Sequence, residues 1–316
     1  MKENENEVEE KINEREKNMI NLKFVKSIEG YNGTISSMSI FPSGNIISVS
    51  FDKAIKIYDQ DFNILQNILN AHEKSIVYVD IKDDNNFVTC SGDLTIKTWI
   101  KKENAFNVNK IIDNAHNDVV RKVLYYSNRY LISCSTDYTV KIWEEINDIY
   151  QNILTISNSS YILSLLLIEN KKILVSAGYD GTKFWDLNVF KLINHFEDTH
   201  CGSWNALCRI DEDNIIVNGN DQISLKIISI SQNKIIKNIE HTFTCYSISL
   251  IYNKGIFLVG GHNKDIEIFQ NDNNYKCIQT ITNAHNSYIL GFIELKNGTI
   301  VSYGHDQIIK IWKFID

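Results

Sequence analysis

A short motif returns four times along the chain, and this regularity limits the possible folds more than any other feature of the sequence. In each copy, a turn containing Asp leads into a β-type run that ends in an aromatic residue. The copies read SFDKAIKIY at 50–58, SGDLTIKTW at 91–99, STDYTVKIW at 135–143 and GHDQIIKIW at 304–312. Such self-similarity predicts a fold built from repeated structural units.

Three weaker copies lie between the third and the last of these motifs. They are GYDGTKFW at 178–185, LKII at 225–228 after an Asn-Asp turn, and GHNKDIEIF at 261–269, in which Asn263 replaces the Asp. The seven copies end at 58, 99, 143, 185, 228, 269 and 312. A second landmark lies 27 or 28 residues before each end, at Tyr31, His72, His116, Asn158, His200, His241 and His285. The sequence therefore contains seven repeats in phase.

Each repeat contains four short apolar runs separated by Asn, Asp, Gly and Lys, which is the pattern of strands and turns. In the second repeat these runs are 76–81, 87–91, 95–99 and 108–112. A four-stranded sheet cannot bury both of its faces alone, but stacking between two neighbours buries them. Residues 22–28 precede the first landmark, and the last repeat lacks an outermost strand. We therefore expect residues 22–28 to complete the seventh unit and close a ring.

The repeats resemble those of the WD-repeat family, whose signature is Gly-His near the start and Trp-Asp near the end. Ala usually replaces Gly here, and only Trp185-Asp186 keeps the final dipeptide. The resemblance covers roughly residues 24–314 and implies an all-β fold, a seven-bladed β-propeller of four-stranded antiparallel blades. We assign residues 21–316 to the propeller and residues 1–20 to a charged tail, either disordered or a short helix.

The resemblance also implies hydrogen-bonded tetrads in which His, Asp and the aromatic residue join a strand Ser or Thr. Buried carboxylates need donors, which imidazole, hydroxyl and indole N–H groups supply. The implied sets are His72, Thr89, Asp93 and Trp99; His116, Ser133, Asp137 and Trp143; and His285, Ser302, Asp306 and Trp312. The fifth and sixth repeats have apolar residues at such positions, so these blades are expected to depend more on apolar packing: Val217, Ile228, Val259 and Phe269.

The same sets contain the His, Ser and Asp of a hydrolase triad, but two features favour a structural role. The spacing recurs in several repeats, whereas an enzyme needs one site, and each set includes a Trp. The sequence has no glycine-rich phosphate loop, zinc-type spacing or EF-hand loop. We considered His200, Cys201 and Cys208 as metal ligands, but His200 already serves as a repeat landmark. The prediction is a non-enzymatic protein without a cofactor or metal.

Members of this family usually engage peptides on the top face, around the central channel. Three positions in each repeat line that face: three and five residues after the landmark, and one residue before the turn Asp. Aromatic and His residues gather there on the fourth, sixth, seventh and first repeats. The predicted partner-binding residues are Phe51, Tyr161, Tyr179, Tyr246, His262, Tyr288 and His305, with Arg121 as an anion contact. The alternative is that several of these rings only fill the channel mouth.

Charge and hydropathy narrow the partners. A net charge of -7 and a pI of about 5.7 argue against direct binding to nucleic acid. The longest apolar stretch, 161–168, is too short to span a membrane. We expect an intracellular protein, cytoplasmic or nuclear, with a monomeric propeller that acts as a protein–protein scaffold or adaptor in a multiprotein complex. A ubiquitin-ligase substrate receptor is the alternative, although Asn188 stands where one class of these receptors carries Arg.

Overall fold

Short antiparallel strands make up most of the structure. The computed structural model describes residues 20–200, 206–221, 223–272 and 274–315. Within these ranges it has 29 strands and two single 3-10 turns, Glu169–Lys171 and Tyr252–Lys254. All but the last residue of the predicted tail, 1–20, lies outside the described ranges.

The strands form seven sheets, which we call blades 1 to 7 in the order of their first strands. Blade 1 consists of β2 (Ile35–Ile40), β3 (Ile46–Ser50), β4 (Ile55–Tyr58) and β5 (Ile64–Ile68). Blade 2 consists of β6 (Ile76–Asp83), β7 (Asn86–Ser91), β8 (Ile96–Lys102) and β9 (Ala105–Ile112). Blade 3 consists of β10 (Val120–Tyr126), β11 (Tyr130–Ser135), β12 (Thr139–Ile146) and β13 (Ile149–Ser157). Blade 4 consists of β14 (Ile162–Ile168), β15 (Ile173–Gly178), β16 (Gly181–Asp186) and β17 (Lys191–Phe196).

Blade 5 differs because two short strands, β18 (Thr199–His200) and β19 (Leu207–Arg209), both pair with β20 (Asn214–Gly219). It consists of β18 (Thr199–His200), β19 (Leu207–Arg209), β20 (Asn214–Gly219), β21 (Ser224–Ser229) and β22 (Lys234–Glu240). Blade 6 consists of β23 (Cys245–Ile251), β24 (Ile256–Gly261), β25 (Ile266–Gln270) and β26 (Cys277–Ile281). Blade 7 consists of β27 (Ile289–Glu294), β28 (Ile300–Gly304), β29 (Ile309–Ile315) and β1 (Asn21–Ile28).

The blades form a closed ring around a central channel. The inner strand of each blade contacts the inner strands of both neighbours, and β27 of blade 7 contacts β2 of blade 1. The N-terminal strand β1 pairs antiparallel with β29, from Asn21 opposite Ile315 to Ile28 opposite Ile309. The fold is therefore a seven-bladed β-propeller closed by its N-terminal strand, which confirms the predicted fold class.

The turn before the third strand of each blade explains the recurring Asp. The residue after this Asp has a left-handed backbone in five blades, at Lys53, Leu94, Tyr138, Gly181 and Gln307. This conformation is unfavourable for side chains larger than glycine. The Asp carboxylate compensates by accepting the backbone N–H two residues further on, as Asp93 does from Thr95 at 3.0 Å.

The Asp also belongs to a buried polar network in blades 2, 3 and 7. In blade 3, His116 Nδ1 lies 2.9 Å from Asp137 Oδ2, and His116 Nε2 lies 2.7 Å from Ser133 Oγ. Trp143 Nε1 donates to the same hydroxyl at 2.8 Å. Blades 2 and 7 repeat these contacts at 2.6–2.9 Å. Burial lowers the pKa of His116, so its neutral ring donates to the Asp and accepts from the Ser.

A lysine that the sequence analysis overlooked belongs to the same network. Lys141 Nζ donates to the Ala115 carbonyl at 2.7 Å, and Lys97 and Lys310 make the same bond in blades 2 and 7. The signal was present as the Lys in the IKT, VKI and IKI runs of the motif. The network therefore connects the third strand of a blade to the segment that enters its first strand.

Ring closure can be tested at Leu22, a β1 residue that is 1% exposed and packs against Trp312 and the blade 6 core. We expect Leu22→Ala to lower the free energy of unfolding by about 2–5 kcal/mol, because it leaves a cavity at the closing seam. Val25→Ala on the same strand is the control, since Val25 is 48% exposed and should change stability by no more than about 0.5 kcal/mol. Chemical denaturation measures both, and equal effects would contradict a packed seam.

The tetrads can be tested at Asp137, whose pKa is held far below its ordinary value because His116, Thr139 and Asn117 donate hydrogen bonds to it and outweigh its burial. Asp137→Ala should lower the free energy of unfolding by about 1–3 kcal/mol near neutral pH. A depressed carboxyl pKa stabilises the fold above the unfolded-state pKa, near 3.8, and this contribution is lost as the pH falls below it. The difference in the free energy of unfolding between wild type and variant should therefore become smaller below about pH 4.

Asp61→Ala is the matched control, because the exposed Asp61 carboxylate makes no hydrogen bond or ion pair within the described structure. It removes the same charge and should leave stability near that of wild type. Equal losses in both variants would assign the Asp137 effect to net charge and would contradict the network account.

Candidate functional site

The tetrads contain the residue types of a hydrolase triad, but their hydroxyl groups are not accessible to a substrate. Ser133, Thr89 and Ser302 are each 0% exposed, and each hydroxyl oxygen already accepts an indole N–H. A nucleophile must be able to reach a substrate carbonyl. These hydroxyls are sealed between blades, so the geometry gives them a structural role.

Surface residues of the top face are set by a bulge that recurs in the inner strands. In every blade except blade 5, the pairing of the first two strands skips one residue near the start of the inner strand. Such a bulge re-aims one side chain relative to the pleat. The bulged residues are Ser36, Val77, Arg121, Leu163, Tyr246 and Leu290. Two of the predicted partner-binding residues, Arg121 and Tyr246, therefore occupy bulges.

The remaining predicted residues lie beside these bulges. The backbone N–H of Tyr179 donates to the Tyr161 carbonyl at 3.2 Å, and that of His305 donates to the Tyr288 carbonyl at 2.9 Å. Phe51 and His262 make the same bond to Thr34 and Thr244. The residue before the inner strand and the residue before the turn Asp are thus held together at the top of each of these blades.

Tyr161 and Tyr179 belong to a group of rings that we call cluster A, which consists of Tyr138, Tyr161, Tyr179 and His200. The centroids of Tyr161 and Tyr179 lie 5.4 Å apart in a T-shaped arrangement. Tyr138 lies 5.2 Å from Tyr161, and His200 stacks on Tyr179 at 4.9 Å. Tyr138, Tyr161 and Tyr179 are exposed, so this group presents aromatic surface to solvent.

Four more of the predicted rings form cluster B: Tyr246, His262, Tyr288 and His305. His262 stacks on Tyr288 at 4.7 Å, and Tyr246 meets Tyr288 edge-on at 5.6 Å. His305 lies 5.5 Å from Tyr288 on the other side. Tyr246 and Tyr288 are half-buried, whereas both histidines are exposed. Tyr288 is therefore the centre of the cluster.

Phe51 and Arg121 lie at the predicted positions but outside both clusters. Phe51 is half-buried at the top of blade 1, and Arg121 is half-buried on the bulge of β10. The top face thus carries two aromatic groups, one spanning blades 3 to 5 and the other spanning blades 6 and 7.

Two members of cluster A escaped the sequence analysis. Tyr138 follows the turn Asp of blade 3, and its left-handed backbone was not foreseen. His200 was assigned as the landmark of the fifth repeat, and this assignment was wrong. It lies in β18 opposite Asn218, and the next pair is Leu207 opposite Val217. Six residues therefore separate His200 from Leu207, although their partners on β20, Asn218 and Val217, are adjacent in sequence.

Burial affects one titratable ring in each cluster. Burial lowers the pKa of His200. Burial raises the pKa of the Tyr246 hydroxyl, and the neighbouring hydroxyls of Tyr288 and Tyr179 raise it further. The arrangement offers aromatic faces and hydroxyl groups, which suits recognition of side chains better than acid–base chemistry.

Neither a metal centre nor a membrane span is found in the described ranges. No group of three or more His, Cys, Asp and Glu side chains there is arranged to hold a metal ion. No helix in this part of the chain is long and apolar enough to cross a bilayer.

Comparison with known proteins matches three repeats. The family model of the WD domain, G-beta repeat, matches residues 22–59, 63–99 and 109–144. Each match begins at the outer strand of one blade and ends in or just after the third strand of the next, so one sequence repeat joins two blades.

Two relatives illustrate the similarity. The chain is 35% identical over 78 residues to "Lissencephaly-1 homolog 1" of Paramecium tetraurelia, which covers 23% of this chain and 19% of that protein. It is 34% identical over 77 residues to "Nuclear distribution protein nudF 1" of Talaromyces marneffei, which covers 23% and 17%. The chain thus spans less than a fifth of the length of these relatives. The matched repeats and the seven blades built on one plan show that the chain contains WD repeats and folds as a seven-bladed β-propeller.

Proposed function

We propose that this protein is a non-catalytic interaction scaffold that binds partner proteins or peptides on the top face of its propeller, as part of a multiprotein complex. The observation that carries the proposal is the pair of aromatic clusters on one rim of the channel. Exposed Tyr side chains offer large contact areas at low entropic cost and are enriched among interface hot spots.

The two clusters favour binding over mere filling of the channel mouth. Tyr138, Tyr161 and Tyr179 remain exposed although they contact each other, so their free faces are open to a partner. Cluster B is more enclosed, which favours an anchor pocket for a partner side chain. A peptide lying across the mouth would contact both clusters at once.

The frame behind the clusters suits a scaffold. Tyr161, Tyr246 and Tyr288 are fixed by bulges and backbone bonds of inner strands, and the ring holds these strands in place. A partner that binds such a preorganised surface loses little freedom of the receptor side chains. The fungal relative is named for nuclear distribution, and the proposal takes from it only the class of interaction protein. No observation on the described residues favours the ubiquitin-ligase alternative.

The proposal predicts that cluster B carries a large share of partner affinity. In quantitative affinity capture from native lysate, the double variant Tyr246→Ala/Tyr288→Ala should recover at least tenfold less of the specific partners, because loss of one hot-spot Tyr commonly costs about 2 kcal/mol. Melting temperatures of wild type and variant are compared first. Tyr161→Ala/Tyr179→Ala tests cluster A in the same way.

Tyr252→Ala is the matched control, since Tyr252 is 79% exposed and follows the far end of the inner strand β23. It should leave capture unchanged. Partners that are retained by both double variants would overturn the top-face proposal. If the same partners are lost in Tyr252→Ala, the binding surface lies on the opposite side.

A further inference from the structure

The opposite mouth of the channel holds a pocket of about 490 Å³, which is large enough for a small ligand or a partner side chain. Inner strands β6, β10 and β14 and the 3-10 turn after β14 line it. The residues that matter here are Tyr78, Asp80, Lys122, Tyr125, Leu165 and Glu169. Asp80 lies five residues beyond Ser75 of the top face, so roughly 16 Å of strand separates the pocket from the clusters.

Two residues of this pocket, Asp80 and Lys122, are charged at positions where other blades carry uncharged residues. Asp80 pairs opposite Val88, the residue before the tetrad Thr89. Register places uncharged residues at this position in the other six blades: Ser39, Leu124, Leu166, Cys208, Ser249 and Ile293. Lys122 pairs opposite Cys134, the residue after the tetrad Ser133. Five other blades carry an uncharged residue at the equivalent position: Ser37, Tyr78, Ser164, Ser247 and Gly291. Ring packing alone therefore does not require either charge.

The cations of the pocket already have protein partners. Lys122 Nζ lies 4.7 Å from the centre of the Tyr78 ring and 3.4 Å from Ser164 Oγ. Lys82 Nζ donates to the Asn128 carbonyl at 3.1 Å. Both ammonium groups are thus held by acceptors that belong to the chain itself.

The carboxylates are less satisfied. Asp80 Oδ2 accepts the backbone N–H of Tyr125 at 2.8 Å, and no Lys, Arg or His of the described ranges forms an ion pair with Asp80 or Glu169. Burial raises the pKa of Asp80 to about 6, and the charge of Glu169 adds to this, although Lys122 opposes it. An enclosed carboxylate with no cation in direct contact is costly unless a ligand supplies one.

We propose that this pocket binds an arginine side chain of a partner protein. The guanidinium pairs with Asp80 and with Glu169 at the rim, while Leu124, Leu165 and Leu167 cover its methylene groups. Arginine fits better than lysine because its planar fork has five donors and can serve two carboxylates at once. This site is independent of the aromatic clusters.

The test uses N-acetyl-L-arginine amide as probe and N-acetyl-L-citrulline amide as its uncharged isostere. Calorimetry or ligand-observed NMR on the full-length protein should give a dissociation constant on the order of millimolar for the arginine probe, as expected for one side chain. The citrulline probe should bind at least about tenfold more weakly. A lysine probe tests whether binding requires the planar guanidinium group or only a positive charge. Equal binding of arginine and citrulline, or no arginine binding at saturation, would overturn the proposal.

Variants locate the binding. Asp80→Asn keeps an acceptor for the Tyr125 N–H and should weaken arginine binding at least about tenfold. Glu169→Gln, at an exposed position, should weaken it less, and Asp61→Asn is the charge-matched control. Tyr246→Ala/Tyr288→Ala should bind the probe like wild type, so failure here and failure of the top-face proposal remain distinguishable. Undiminished binding by Asp80→Asn would refute the site.

The pH supplies a second readout. Asp80 must be ionised to bind the cation, so with its pKa near 6 the arginine probe should bind about tenfold more weakly at pH 5 than at pH 7.5. The groups that face Asp80 are Tyr78 and Lys82 on its own strand, Lys122 and Tyr125 on β10, and Glu169 after β14. A flat profile over this range would contradict pairing with Asp80.

Discussion

Pairing between β1 and β29 is the contact on which the rest of the structure depends. Each blade buries its faces against two neighbours, so an open ring would leave two blades half covered. The β1 ladder joins the two ends of the described chain and buries Leu22 against Trp312. Because each family repeat straddles two blades, the same arrangement is repeated at the other seams. Closure therefore fixes the channel and the side chains at both of its mouths.

The polar networks weaken in a defined part of the ring. In blade 6, Val259 and Phe269 replace the hydroxyl and the indole, and neither ring nitrogen of His241 has a hydrogen-bond partner among the described residues. Burial lowers the pKa of His241 to about 4, so its ring is neutral. Glu267 stands where other blades carry Lys, and burial raises the pKa of its carboxyl. Apolar packing compensates, since Phe257 stacks on Phe269 at 5.2 Å as Phe87 stacks on Trp99 in blade 2.

The sequence predicted the ring well because its signals are local. The seven turns, the strand runs and the closing segment 22–28 all follow from residues close together in the chain, and the structure confirms the fold they imply. The fifth inner strand was misread because an insertion after His200 shifts its register, while the count of 28 residues to Ile228 still looked regular. Local spacing cannot reveal an insertion inside a strand when the total length is nearly conserved.

The sites were harder to predict than the fold. Repeat positions placed Tyr161, Tyr246 and Tyr288 on one rim, but the division into two clusters depends on contacts between blades. Tyr138 was missed because its position normally serves only the turn. The Asp80 pocket was missed because its residues come from three inner strands. Asp80 and Lys122 stand out only when equivalent positions of the blades are compared in register. The proposed binding features are thus departures from the repeat, and the repeat pattern alone does not predict them.

Native-state hydrogen exchange tests the central claim most directly. If the ring is one cooperative unit closed by β1, the amides of the β1–β29 ladder should exchange with the same free energy as those of β10 and β11 on the far side, because both require global unfolding. Exchange of β1 and β29 at a much lower free energy than β10 and β11 would show a seam that opens on its own. That result would contradict a closed ring as the support of both channel mouths.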